Sequence, residues 1–129
     1  MKSRDELNEI SGRIIEFSIN VHSALGPGML EGAYEICLMH ELVRNRYKVE
    51  SQVTLPIVYD GVRLDAGYRI DLLVEGCVIV ELKAIDRLLP VHEAQLLSYL
   101  RMSDLRLGLL INFNVRLLRD GVRRVVNKF

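Results

Sequence analysis

The sequence contains no tryptophan, only two cysteines, and no excess of charge of either sign. Its 17 basic and 17 acidic side chains give a formal net charge of zero, which excludes a general electrostatic attraction to nucleic acid or anionic membranes but allows a local basic patch. Cys37 and Cys77 lie inside apolar segments, and their spacing fits neither a disulfide framework nor a zinc site. We therefore expect two reduced, buried thiols.

The sequence also lacks a long apolar run. No window approaches the roughly 18 uninterrupted apolar residues of a membrane span, and the first ten residues contain no apolar signal-peptide core. We therefore expect a cytoplasmic protein with no membrane partner. The chain has 129 residues, half of them hydrophobic, and no repeat or low-complexity linker, so we expect a single domain over residues 1–129.

Apolar residues at three- and four-residue steps predict three helices. The first covers residues 4–25 and ends at Gly26-Pro27-Gly28, where glycine and proline interrupt helical hydrogen bonding. The second covers residues 29–46. The third covers residues 93–102, with Pro90 in its first turn.

The other segments show the patterns of strands and tight turns. Alternating apolar residues between positions 49 and 59 lead into a hairpin turn at Asp60-Gly61, and further strands are predicted at 68–74, 77–83, 106–113, 115–119 and 122–127. The order ααβββαβ plus a C-terminal β-hairpin predicts an α/β domain with a mixed β-sheet flanked by helices.

Three charged residues interrupt the two central apolar strands: Asp71 in the first, Glu81 and Lys83 in the second. Side chains alternate along a strand, so Glu81 and Lys83 share a face. Counting back from the turn at residues 75 and 76 places Asp71 opposite residue 80 or 81, which brings two carboxylates together. Either Glu81 and Lys83 are a surface ion pair on an edge strand and Asp71 is a strand-end carboxylate, or a divalent cation such as magnesium lies between the carboxylates.

Helical polar residues favour the second interpretation if they converge on the same end of the sheet. Glu31 lies on the second helix, three residues before Tyr34, and Gln95 and Tyr99 lie one turn apart on the third helix. For Gln95 and Tyr99, a solvated or half-buried helix face is an equally good explanation.

These residues resemble known motifs. Asp71 with Glu81-Leu82-Lys83 resembles the D…(D/E)xK signature of the PD-(D/E)XK nuclease superfamily, although Ile70 replaces the proline of that name. Residues 67–71 and 95–99 resemble the GxxxD and QxxxY motifs of its RecB-like branch, and residues 28–34 match the motif of the GxxExxY protein family. The resemblance covers nearly the whole chain and implies a restriction-endonuclease-like core.

The resemblance also implies a chemistry. Asp71 and Glu81 would bind one Mg²⁺ or Mn²⁺ ion, with the Leu82 carbonyl and Glu31 as further ligands. Lys83 would orient the attacking water or stabilise charge in the transition state.

Gln95 and Tyr99 would position the phosphate or the water, and Tyr34 would support Glu31 beside the substrate. Near the C-terminus a basic cluster could contact a phosphate backbone, although ordinary surface arginines explain it slightly better, since no aromatic residues for stacking lie among them. The cluster comprises Arg116, Arg119, Arg123, Arg124 and Lys128.

The leading hypothesis is therefore a metal-dependent nuclease acting on DNA or RNA. A catalytically inactive nuclease-fold module for binding or interaction is the main alternative, and a metal-dependent hydrolase of another phosphodiester is a third. Because a small nuclease domain often needs a second copy to enclose a duplex, and apolar edge strands would supply the contact, we expect a homodimer.

Overall fold

The computed structural model describes residues 1–129 and confirms the α/β class. The helices are α1 (Arg4–Leu25), α2 (Glu31–Arg44) and α3 (Pro90–Ser103). The strands are β1 (Val49–Thr54), β2 (Ile57–Tyr59), β3 (Val62–Leu64), β4 (Arg69–Val74), β5 (Val78–Lys83), β6 (Leu107–Asn112) and β7 (Val122–Val126).

The helices begin and end at the signals that the sequence contains. Ser3 and Glu6 form reciprocal hydrogen bonds at the start of α1, and Gly26, with a φ of 71°, ends that helix. Pro90 occupies the first turn of α3, where its missing N–H costs nothing. All three predicted helices are present, and each predicted boundary is within three residues of the observed one.

Five strands form one mixed sheet in the order β1-β4-β5-β6-β7. The neighbours β5 and β6 are parallel and are connected through α3, whereas the other three pairs are antiparallel. One face of the sheet packs on α1 and α2 through a core of 18 buried residues. The other face packs on α3 through a smaller core that includes Ile79, Leu96 and Tyr99.

The extended run between residues 49 and 59 is divided into two strands. β1 ends at Thr54, and after Leu55-Pro56 the chain forms a separate exposed hairpin of β2 and β3. The turn predicted at Asp60-Gly61 is confirmed, since both residues have positive φ, of 52° and 74°.

The predicted strand at residues 115–119 is wrong. The segment is a loop that continues into a short 3₁₀ turn at Leu118–Gly121, after which β7 pairs with β6 instead of with a hairpin partner. Leu118 is buried against the α1 core, and Gly121 packs so closely that an added Cβ would lie 2.1 Å from the Asn112 carbonyl oxygen. These tertiary contacts override the local strand pattern.

The expectation for the cysteines changes, and the sheet edges bear on the predicted homodimer. Cys37 and Cys77 are unpaired, as expected, but both are partly exposed instead of buried. The edges of the five-stranded sheet are β1 and β7, whose exposed residues are mostly polar or charged, whereas the separate β2–β3 hairpin exposes Val58, Tyr59, Val62 and Leu64. The homodimer stays a prediction. None of the three helices combines the length and the apolar character needed to cross a lipid bilayer.

Candidate active site

Asp71 and Glu81 face each other where the β4–β5 ladder ends. The last backbone pair is Leu72 with Val80, so Asp71 and Glu81 are the next pair in register, which confirms the position obtained by counting back from the turn. At this position the backbone N–H groups donate to carboxylates instead of to backbone carbonyls. Leu82 N–H donates to Asp71 Oδ2 at 2.9 Å, and Asp71 N–H donates to Glu81 Oε2 at 3.2 Å. Each carboxylate therefore holds the backbone of the opposite strand.

Glu81 is a buried carboxyl in the middle of the sheet. Only 6 % of the residue is exposed, and burial together with the neighbouring Asp71 raises the pKa of Glu81 to about 9, while the Lys83 charge lowers it only partly. Because β5 is a central strand, the interpretation of Glu81 and Lys83 as a surface ion pair on an edge strand is wrong.

Lys83 occupies the last position of β5, on the same face as Glu81, and is half-buried. None of the three ion pairs of the structure includes it. The end of β6 fixes its backbone, since Phe113 N–H donates to the Lys83 carbonyl. Two residues later, the buried Asn112 side chain accepts from Ile85 N–H and donates to the Ile85 carbonyl. The lysine charge is thus positioned next to the carboxylates without an ion-pair partner.

α3 brings Tyr99 to the same face. Tyr99 is 5 % exposed, and burial and the nearby charges of Glu81 and Asp71 raise its pKa, so the hydroxyl stays protonated at neutral pH. Its ring meets the Tyr68 ring edge-on, with centroids 6.0 Å apart. Gln95, one turn before Tyr99, lines a shallow groove with both tyrosines. The predicted convergence of α3 on the carboxylates is therefore observed for Tyr99, with Gln95 beside it.

α2 contributes Glu31 and a second glutamate that the sequence analysis missed. Glu31 is the first residue of the helix and is exposed. Glu35 follows one turn later, and its Oε1 accepts a 2.9 Å hydrogen bond from Gln52 Nε2, which lies 3.5 Å from Asp71 Oδ1. Partial burial, and then the charges of Asp71 and Glu31, raise the pKa of Glu35. The available sequence signal was the i,i+4 spacing of two like charges, which destabilises a helix unless something else favours it.

Tyr34 does not have the position predicted for it. The residue is fully buried, its ring stacks on Phe113 at 4.4 Å, and its hydroxyl donates to the Gly26 carbonyl and accepts from Met29 N–H. A side chain enclosed in this way has no surface to offer a substrate. Tyr34 instead fixes the loop that precedes Glu31.

The predicted basic cluster is divided between two sides of the molecule. Arg116, in the loop after β6, and Arg119, in the 3₁₀ turn that follows it, are exposed beside the end of α1. Arg123 and Arg124 are consecutive in β7 and so face opposite ways: the Arg123 guanidinium lies 3.7 Å from Glu93 of α3, whereas Arg124 bonds to α1. The five residues therefore do not form one surface.

The donor atoms of the site fit a divalent cation. No three carboxylate, imidazole or thiol side chains already surround a common point. However, Asp71 Oδ1 and Glu81 Oε1 are not used by the backbone, and two adjacent carboxylates are the hard oxygen ligands that Mg²⁺ and Mn²⁺ prefer. A cation would also remove the repulsion that contributes to the raised Glu81 pKa.

Comparison with known proteins supplies an independent result. The sequence model of the PD-(D/E)XK nuclease superfamily matches residues 8–125 of the 129-residue chain. No curated protein and no solved structure gives a significant match. The five-stranded mixed sheet flanked by helices agrees with the restriction-endonuclease-like fold of that superfamily. The chain belongs to the PD-(D/E)XK nuclease superfamily.

Proposed function

We propose that the protein is a metal-dependent nuclease that hydrolyses phosphodiester bonds of DNA or RNA. The observation that carries the proposal is the pair of the buried Glu81 and the half-buried Asp71 beside an unpaired Lys83, at the end of the central strands. Membership of the superfamily supports a nuclease-like activity, and its members generally use divalent metals. A buried carboxyl next to a second carboxylate is costly to ionise in a merely structural role, which also favours a ligand.

Asp71 and Glu81 would hold the Mg²⁺ or Mn²⁺ ion, with the Leu82 carbonyl and Glu31 as additional ligands. When bound, the ion polarises a phosphodiester oxygen and lowers the pKa of a coordinated water. The protein contributes the fixed positions of the two carboxylates, because each is bonded to the backbone of the opposite strand. Such preorganisation avoids reorganisation at the moment of reaction.

Lys83 and the α3 side chains would act on the substrate itself. The Lys83 ammonium would orient the attacking water or stabilise the negative charge of the transition state, an effect worth about 3 to 4 kcal/mol for one well-placed donor. Tyr99, protonated at neutral pH, would donate a hydrogen bond to a phosphate oxygen. Gln95, on the same groove, would position the phosphate.

The finer assignment to the GxxExxY family is also a proposal. Its support is the local structure of residues 28–34: Gly28 has a φ of 94°, Glu31 is exposed at the start of α2, and the Tyr34 hydroxyl ties the preceding loop. Each named position of the motif therefore has a physical function here. Arg116 and Arg119 are the best candidates for contacts with the phosphate backbone, since Arg123 and Arg124 have other partners.

The first experiment is a calorimetric titration of Mn²⁺ into the wild type and Asp71→Asn. We expect saturable binding to the wild type and at least a tenfold loss of affinity in the variant. A folded wild type that binds no Mn²⁺, with or without an oligonucleotide present, would favour the alternative of a catalytically inactive binding module. The lack of three preassembled ligands is the observation that favours this alternative.

The second experiment measures hydrolysis of labelled single-stranded and duplex DNA and RNA with Mn²⁺. Lys83→Ala should lower the cleavage rate by about 100-fold or more, the value of one lost transition-state donor. Lys48→Ala is the matched control, because that exposed lysine lies beside the β4–β5 turn at the other end of the sheet, and it should cleave normally. A folded Lys83→Ala protein with the wild-type rate would rule out the assigned role of the lysine.

A further inference from the structure

Gln52 has an unusual backbone conformation for a residue inside a strand. Its φ is 52°, in the left-handed region, and the other five non-glycine residues with positive φ all lie outside helices and strands. In β1, Ser51 pairs with Leu72 and Val53 pairs with Ile70, but Gln52 and Asp71, which are opposite each other in the same register, do not pair. For a residue other than glycine, this conformation costs on the order of 1 kcal/mol or more.

The Gln52 side chain lies between two carboxylates from different elements. Its Nε2 donates to Glu35 Oε1 of α2 at 2.9 Å and lies 3.5 Å from Asp71 Oδ1 of β4. A glutamine amide nitrogen carries two hydrogens and can therefore donate to both oxygens at once. A donor in this position offsets the repulsion between the two acidic groups.

We propose that Gln52 is a positioning residue of the carboxylate site, whose left-handed backbone places its amide between Glu35 and Asp71 and thereby holds Asp71 oriented for the metal. The proposal rests on the proposed function and adds Glu35 and Gln52 to its site. Gln52 acts through Asp71 and makes no contact with substrate. It accounts for a strained conformation at an exposed residue, where neither core packing nor a turn requires one.

The competing explanation is that the kink only keeps the edge strand β1 from pairing with another chain, in which case the side chain is irrelevant. Gln52→Gly separates the two explanations, because glycine adopts the left-handed conformation freely but has no amide. We expect this variant to melt at the same or a higher temperature than the wild type and yet to bind Mn²⁺ about five- to tenfold more weakly. Arg46→Gly is the matched control, since Arg46 has a φ of 66° in the turn after α2 and should gain stability without any change in Mn²⁺ affinity.

A second measurement does not depend on metal binding. In the metal-free protein, ¹³C NMR should show shifted side-chain carboxyl resonances of Glu35 and Asp71 in Gln52→Gly, and unchanged ones in Arg46→Gly. Carboxyl resonances that do not move in Gln52→Gly would overturn the proposal. So would a wild type that binds Mn²⁺ and a Gln52→Gly variant that binds it with the same affinity. If the wild type binds no Mn²⁺, with or without an oligonucleotide, while the Gln52→Gly resonances move, the nuclease proposal and the role towards the metal fail, and only the contact of Gln52 with the two carboxylates stands.

Discussion

At the scale of single residues, the central feature is a carboxyl group that the fold disfavours in its charged form. Glu81 is buried among apolar strands and lies next to Asp71, and both effects raise its pKa to about 9 from an ordinary value of 4.5. Between these two values the folded protein retains a proton that the unfolded chain releases. Its contribution to the free energy of unfolding is therefore greatest below about pH 4.5 and decreases as the pH rises towards 9.

Glu81→Gln should remove this pH dependence, because glutamine cannot ionise. Each unit of pKa shift corresponds to about 1.4 kcal/mol, so we expect the free energy of unfolding of the variant to exceed that of the wild type by at least about 1 kcal/mol at pH 9. At pH 4.5 the two proteins should differ little. Urea unfolding in EDTA at several pH values tests this, with Glu50→Gln in the exposed part of β1 as the control. If the free energy of unfolding depends on pH in the same way in the wild type and in Glu81→Gln, the pKa of the Glu81 carboxyl is not raised.

Among the residues of the site, some positions could be predicted from the sequence and others could not. The facing of Asp71 and Glu81 was predictable, since the tight turn at Glu75-Gly76 fixes the register of β4 and β5. The contribution of Gln52 was not predictable. No local pattern indicates that a glutamine in a strand adopts a left-handed backbone, and its role depends on a contact with a helix 17 residues away in the chain.

At the scale of elements, the loop between α1 and α2 connects the core to the site. The sequence predicted the helix stop at residues 26–28 but placed Tyr34 at the substrate, because helical spacing gives the face of a residue and not the depth to which it is buried. Its hydroxyl bonds both Gly26 and Met29, and so determines where the chain enters α2 at Glu31.

Tyr34→Phe tests this role. The ring and its stacking on Phe113 are retained, but the Gly26 carbonyl and the Met29 N–H each lose a partner. We expect a loss of about 1 to 2 kcal/mol in the free energy of unfolding and faster hydrogen exchange at Met29. Tyr59→Phe in the exposed β2–β3 hairpin is the control and should change neither quantity. Unchanged exchange at Met29 in Tyr34→Phe would mean that the loop is held by other contacts.

At the scale of the whole molecule, the balanced charge has to be reconciled with the proposed polyanionic substrate. The zero net charge gives no general attraction, so phosphate contacts depend on local basic side chains, of which arginines with no other partner are the best candidates. The fold engages Arg123 and Arg124 with α3 and α1, respectively. Arg116 and Arg119 remain free in the segment that follows Phe113. This segment begins next to the site, because the Phe113 N–H donates to the Lys83 carbonyl at the end of β5.

This arrangement predicts that nucleic-acid binding depends only weakly on salt concentration, and that Arg116 and Arg119 account for most of that dependence. With EDTA present to prevent cleavage, we expect Arg116→Ala and Arg119→Ala each to lower the slope of log K against log salt by about 0.7 to 0.9, the value for one lost phosphate contact. Arg124→Ala should leave the slope unchanged, since its guanidinium is bonded to Asn8 and lies over Phe129. Fluorescence anisotropy of a labelled oligonucleotide between low and moderate salt gives the slopes directly. If Arg124→Ala lowers the slope and the two loop variants do not, the substrate lies along the α1 side of β7 instead, and the loop after β6 has no part in holding it.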